Sequence, residues 1–210
     1  MKQKKKQCKL GIMGGTFDPI HIGHLLIAEA SCEEYDLDKV VFIPTGHPPH
    51  KAKEYVGEAY HRLNMVKLAI EDNPHFEWSD MEINREGRTY TIDTLKQLKL
   101  MFPDNEIYFI IGGDTLLEIH TWKQWQNVLK LCNFIVYNRP GYDDSSVRQQ
   151  VVKLTHLGAS IFIVDGCTMG ISSTTIRARI KQKRSIKYMV PSSIEKYILD
   201  HGLYIDKQEE

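Results

Sequence analysis

The 210-residue chain carries 27 Lys and Arg against 27 Asp and Glu, a formal charge of zero, and 42% of its residues are hydrophobic. That balance fits one domain with a substantial core and lacks the broad basic field that general nucleic-acid binding requires. Cys8, Cys32, Cys132 and Cys167 are scattered without a CxxC pair, and the longest apolar run, Ile107 to Ile111, is strand-sized. Reduced thiols, a cytoplasmic location and no membrane span are therefore expected.

The lysine-rich start has no apolar signal segment behind it and reads as a frayed basic tail over residues 1–8. A strand is predicted over 9–14, from Leu10, Ile12 and Met13, followed by Gly14-Gly15-Thr16-Phe17-Asp18-Pro19-Ile20-His21-Ile22-Gly23-His24. A helix follows, with Ile22, Leu25, Leu26 and Ala30 on one side. Strand, glycine turn and helix start make an anion site, because glycines permit close backbone approach and helix N-termini offer N–H groups. His21 and His24 lie three apart and face the same way in a first helical turn, which suits transfer of a phosphoryl-type group. The turn is not a Walker A loop, since no Gly-Lys-Ser/Thr follows, and not a GxGxxG fingerprint. The next predicted strand, Val40–Ile43, ends at Pro44 without the acid that would bind a ribose.

After that strand, Pro48-Pro49-His50-Lys51 forms a stiff loop that puts Lys51 within reach of a phosphate. Leu63, Val66 and Ile70 mark a helix, and Arg85, Gly87, Arg88, Thr89, Tyr90 and Thr91 a polar turn before the helix of Ile92, Leu95, Leu98 and Phe102. The strand Ile107–Ile111 runs into Gly112-Gly113-Asp114, where the glycines admit a base or ribose and Asp114 either accepts ribose hydroxyls or caps a helix. Trp122 and Trp125 are spaced one helical turn apart; Trp125 is assigned to the core and Trp122 offers a stacking face. Strands Phe134–Tyr137 and Ile161–Val164 flank a helix marked by Val147, Val151 and Leu154. Ile171-Ser172-Ser173-Thr174-Thr175-Ile176-Arg177 then opens a helix whose hydroxyls and guanidinium form a second phosphate grip. Ser192 with Glu195 reads as a capping box for a last helix ending near Gly202. The alternation predicts an α/β fold with a doubly wound parallel sheet, Rossmann-like, helices on both faces, and ligands above the strand C-termini. Residues 1–210 are read as a single domain, with 182–210 as a C-terminal helical appendage.

GGTFDPIHIGH together with ISSTTIR resembles the HxGH nucleotidylyltransferase superfamily, and nearly the whole chain is similar to the bacterial nicotinate-nucleotide adenylyltransferases. PPHK at 48–51, the Arg85–Asp93 segment, IIGGD at 110–114, WKQW at 122–125 and Asn138-Arg139-Pro140-Gly141 carry the closer likeness. One departure is IGGD, where that family often has a single glycine or an alanine.

The resemblance implies AMP transfer from ATP to nicotinate mononucleotide, forming deamido-NAD and pyrophosphate, with His21, His24 and Arg177 catalytic. Gly14, Gly15, Thr16, Phe17, Gly112, Asp114, Ser173, Thr174 and Arg177 would bind ATP. Lys51, Thr89, Tyr90 and Trp122 would meet the mononucleotide, Lys51 at either it or the triphosphate. Mg²⁺ is expected to arrive with ATP, with no protein metal cage. A homodimer and the choice between acid and amide acceptors stay open, the acid being expected to win. The alternatives are another adenylyl- or cytidylyltransferase of this fold, acting on phosphopantetheine or a polyol phosphate, and a metal-dependent phosphohydrolase liganded by Asp18, His21 and His24. A non-catalytic nucleotide sensor is disfavoured by the complete histidine and arginine set.

Overall fold

The computed structural model describes residues 7–47, 56–137, 144–164 and 170–205. Six parallel strands form one sheet in the order β3-β2-β1-β4-β5-β6. They are β1 (Lys9–Gly15), β2 (Lys39–Pro44), β3 (Phe76–Trp78), β4 (Glu106–Gly112), β5 (Asn133–Tyr137) and β6 (Ser160–Val164). The principal helices are α1 (Ile22–Tyr35), α2 (Ala59–Ile70), α3 (Thr91–Met101), α6 (Asp144–His156), α7 (Ser173–Lys181) and α8 (Ser192–Asp200). Two short ones, α4 (Gly113–Leu117) and α5 (Trp125–Val128), lie between β4 and β5. None of the helices among the described residues is long and apolar enough to cross a membrane.

Side chains alternate along each strand, so two cores form. Met13, Val40, Phe42, Ile110 and Ile135 face one layer with Ala28, Val66, Ile176 and Ile194. Ile12, Val41, Ile43, Phe109, Ile111 and Phe134 face the other with Leu95, Leu116 and Val147. Helices α1, α2, α7 and α8 thus cover the first face, and α3 to α6 the second. Connections run outward from β1 to β3, then return past β1 to β4, which makes the β1/β4 boundary the topological switch point. The pairing itself opens there. β1 pairs with β2 as far as Gly15↔Pro44, but with β4 only as far as Ile12↔Phe109.

Every predicted strand is present, and β3 is an addition: only Phe76 of its three residues is buried, too short a pattern to read. The face of α1 differs from the expected stripe, with Ala28, Ser31 and Cys32 buried instead. Small residues let the helix sit close to the sheet, and the buried Ser31 hydroxyl donates to the Ile27 carbonyl at 2.7 Å. Trp122 and Trp125 do not share a helix, because Gln124 between them adopts φ 54°, and Trp125 is half-buried rather than enclosed. The capping box at Ser192 is absent: Pro191 is the N-cap, and the Ser193 hydroxyl donates across to the Leu68 carbonyl at 3.4 Å.

Arg62 ties the loops at the strand C-termini together. It lies in the buried stripe of α2 with Met65, Val66, Ala69 and Ile70 and is only 1% exposed. Its guanidinium donates to the carbonyls of Thr16 (2.7 Å) in the β1–α1 loop and of Gly57 (2.8 Å) and Gly46 (3.3 Å) at the two ends of the β2–α2 connection. Burial pulls its pKa down while Asp18 and Tyr204 nearby push it up. Gly46 itself has no room for a side chain, since a Cβ would collide with the Glu82 carbonyl oxygen. Arg62→Met, which keeps the apolar stem and orphans three carbonyls, should cost roughly 3 kcal/mol or more and lower Tm by about 6–12 °C. A melting curve within about 2 °C of the unaltered protein would contradict this.

Candidate active site

Where β1 and β4 part, a cavity of about 840 Å³ opens across the sheet edge. Gly14, Gly15, Thr16 and His24 line it on the β1–α1 side, and Gly112, Asp114, Thr115 and Glu118 at the end of β4. Thr45, Glu82, Thr89, Tyr90, Trp122 and Lys123 line the part over the second face of the sheet.

The loop from β1 to α1 is shaped by Phe17, whose φ of 50° turns its ring back beneath Gly15, where a Cβ would sit 3.1 Å from it. Phe17 is 2% exposed and meets His24 edge-on, ring centroids 5.1 Å apart. The Phe17 side chain buttresses His24 and is not among the residues that line the cavity, nor are those of Ser173, Thr174 and Arg177. His21 is the N-cap of α1 and His24 its third residue, so the two rings stack 3.7 Å apart at 27°. The His21 backbone N–H donates to His24 Nδ1 at 3.2 Å. A nitrogen that accepts that bond carries no proton, so the neutral His24 ring is the Nε2–H tautomer, a donor. His24 lines the cavity, while His21 is buried behind it. The open crown of amides expected at the α1 N-terminus is narrower than foreseen, because the Ile22 N–H donates to the Met189 carbonyl at 3.0 Å.

The second grip lies against the same loop. Ser172 caps α7 by accepting from the Thr175 N–H at 3.1 Å. Ser173 donates to the Pro19 carbonyl at 2.9 Å, and Arg177 Nη1 to the Asp18 carbonyl at 2.7 Å. Arg177 Nη2 reaches Thr174 Oγ1 at 3.5 Å. Asp18, 2% exposed, is fully engaged: its Oδ1 accepts from the Tyr204 hydroxyl at 2.8 Å and its Oδ2 from the Gly57 N–H at 3.1 Å. Burial, then the neighbouring carboxylate, pushes the Tyr204 hydroxyl's pKa upward, so it remains a donor. Asp18 does not converge with the two histidines as a metal site. Among the described residues no group of three or more His, Cys, Asp and Glu is arranged to hold a metal ion.

On the other side of the cavity, Thr89 is buried, and both its N–H (3.2 Å) and its hydroxyl (3.3 Å) donate to the His47 carbonyl. Tyr90 caps α3 and lies under the Lys123 ammonium, 4.3 Å from the ring centroid. Trp122 is half-buried and meets Phe109 edge to face, 6.1 Å between centroids. Glu82, buried at the cavity wall, accepts from the Thr94 hydroxyl at 2.6 Å, and burial pushes its pKa up. Gly112, not Asp114, is the N-cap of α4; Asp114 is exposed to the cavity and accepts from the Thr115 N–H at 3.0 Å. Lys51 and the Asn138–Gly141 segment lie outside the described residues.

Residues that sequence reasoning missed are mostly those that build the walls. Arg62 had a signal, being a charge in an apolar helical stripe, and Lys123 stood within a motif already noted. Glu82, Thr45 and Tyr204 had none, since only the tertiary fold brings them to the site.

Comparisons with known proteins agree with this geometry. Residues 12–179 match the cytidylyltransferase-like family. A protein of Thermoanaerobacter sp. (strain X514) named "probable nicotinate-nucleotide adenylyltransferase" is 48% identical over 207 residues, covering 98% of each chain. A protein of the same name from Desulfitobacterium hafniense (strain DSM 10664 / DCB-2) is 45% identical over 201 residues, covering 93% of this chain and 95% of its own. Among solved structures, Plasmodium falciparum nicotinic acid mononucleotide adenylyltransferase complexed with NaAD superposes with a TM-score of 0.79 at 21% identity, covering 94% of this chain and 98% of that one. The same Plasmodium enzyme complexed with APC gives 0.78.

Proposed function

Because the chain belongs to the cytidylyltransferase-like family, among the nicotinate-nucleotide adenylyltransferases, we infer that its cavity joins ATP to nicotinate mononucleotide. The reaction is adenylyl transfer in NAD biosynthesis. The observation that carries it is the lacing of α7 to the β1–α1 loop through Arg177–Asp18 and Ser173–Pro19, which sets two anion-binding elements at one sheet edge.

The chemistry asks for little covalent help. The mononucleotide's phosphate oxygen attacks the α-phosphorus of ATP, a P–O bond forms, and the bond to the β-phosphate bridging oxygen breaks to release pyrophosphate. The nucleophile is already an anion, so no general base is needed. What the protein supplies is alignment and stabilisation of the charge that develops on the transferring and leaving phosphates. In our reading the His24 Nε2–H donates to the phosphates, His21 holds the ring by stacking and by its backbone bond, and Ser173, Thr174 and Arg177 grip the triphosphate from α7. A guanidinium has five N–H donors, so bonding to Asp18 and Thr174 leaves Arg177 able to meet a phosphate as well. Gly14, Gly15, Thr16, Gly112 and Asp114 are assigned to the nucleotide's adenosine side, and Phe17 to the support of His24. Thr89, Tyr90 and Trp122 are assigned to the acceptor, with the pyridine ring stacked on Trp122, and Lys51 to a phosphate of either substrate. Mg²⁺ would be delivered with ATP, where it would supply charge neutralisation on the phosphates.

His24→Ala should lower kcat by roughly 10²–10⁴-fold with Tm nearly unchanged, measured as pyrophosphate release. Turnover like that of the unaltered protein would remove the histidine from the chemistry. Trp122→Ala should raise KM for the mononucleotide several-fold more than KM for ATP, and equal changes would take the indole out of the acceptor pocket. Offering ATP with nicotinate mononucleotide, phosphopantetheine or a polyol phosphate in turn should give pyrophosphate chiefly with the first.

A further inference from the structure

We propose that the Lys123 side chain reads the carboxylate of the acceptor's pyridine ring and thereby sets the preference for nicotinate over nicotinamide mononucleotide. The proposal rests on the adenylyltransferase reading and adds the residue that decides between the two acceptors. Acid and amide have nearly the same shape, so steric fit does not separate them. The difference is one negative charge against a neutral group that also donates hydrogen bonds, and a pocket must discriminate by charge and donor placement.

The charges around the cavity make Lys123 the decisive group. Among the described lining residues three are carboxylic, Glu82, Asp114 and Glu118, and Lys123 is the one lysine or arginine. Without it the wall would repel an acid and welcome the N–H donors of an amide. Lys123 is also held in place. Its Nζ stands 4.3 Å over the Tyr90 ring and 3.3 Å from Asp93 Oδ2, in the first turn of α3. The aromatic face and the carboxylate together restrict a side chain that would otherwise sample many rotamers.

Lys123 and Trp122 line the same cavity, so the ammonium shares a pocket with the surface on which the ring is proposed to stack. The proposal sets a carboxylate on that ring's edge toward Lys123 rather than toward Glu118 and Asp114, which belong to the α4 end of the cavity. At 43% side-chain exposure the ammonium keeps much of its hydration, so it does not need the acid in order to be stable. It gains from a second carboxylate without having been buried for it. An ion pair about 4 Å apart at such exposure favours the acid by roughly three- to fivefold. Asp93 moderates the field and fixes its origin.

The test is the ratio of kcat/KM for nicotinate and nicotinamide mononucleotides, at fixed ATP, in the full-length protein and in Lys123→Ala, Lys123→Gln and Lys123→Arg. The unaltered protein should prefer the acid, and its preference should shrink as salt is raised. In Lys123→Ala and Lys123→Gln the ratio should fall roughly three- to fivefold, chiefly through KM for the acid, and lose its salt dependence. Lys123→Arg should restore most of the ratio, which loss of packing alone would not predict. KM for ATP should stay within about twofold throughout. A ratio in Lys123→Ala within twofold of the original would overturn the assignment while leaving the adenylyltransferase reading intact. No pyrophosphate from either acceptor in the unaltered protein would overturn that reading and this proposal with it.

Discussion

A single hydrogen bond of 2.7 Å, from Arg177 to the carbonyl of Asp18, joins segments 159 residues apart and makes one site of two. The β1–α1 loop belongs to the first strand of the sheet, and α7 follows the last. The switch-point topology places both at the same edge, yet topology alone leaves them as neighbouring loops. The arginine bond, the Ser173–Pro19 bond beside it and the Tyr204–Asp18 bond behind it hold the loop against the helix. Arg62 does the equivalent beneath, drawing the carbonyls of Thr16, Gly46 and Gly57 to one buried cation. Bonds to charged donors are stronger than neutral ones, and a loop whose carbonyls are held this way is pre-shaped before substrate arrives.

A neutral chain accommodates a polyanion by arranging its polar groups locally. The Thr16 and Asp18 carbonyls are taken up by Arg62 and Arg177, which under the proposed function keeps their negative ends away from the phosphates. His24 offers a proton on Nε2 because its other nitrogen accepts from the backbone of His21. The result is a surface of donors at one sheet edge, built from few full charges, in a protein whose charges sum to zero. Elsewhere on the cavity wall, Asp114 and Glu118 stand at the end of β4, and Glu82 with Lys123 lies over the second face of the sheet.

Much of this was legible in the order of residues. The run from Gly14 to His24 combined residues without side chains at a strand end with two histidines at helical spacing, and local chemistry of that kind is visible without a fold. The hydroxyls and Arg177 of α7 were visible for the same reason. What escaped was set by tertiary context. The three residues of β3 bury one side chain and leave no period. Ser192 has the letters of a capping box, but Pro191 already occupies the cap and Ser193 finds a partner on α2. Phe17 lies inside a nucleotide-binding motif, and its unusual backbone conformation sends the ring into the core. Tyr204 reaches Asp18 from 186 residues away, a distance over which no local pattern operates.

The central claim is that one triphosphate lies between His24 and Arg177 while the acceptor's ring lies across the cavity on Trp122. A crystal structure of the protein with a non-hydrolysable ATP analogue and nicotinate mononucleotide measures this directly. Phosphate oxygens should lie within hydrogen-bonding distance of both His24 Nε2 and the Arg177 guanidinium, with the acceptor's phosphate in line with the α-phosphorus. A triphosphate bound away from α7, or a pyridine ring on the α1 side of the sheet, would contradict it.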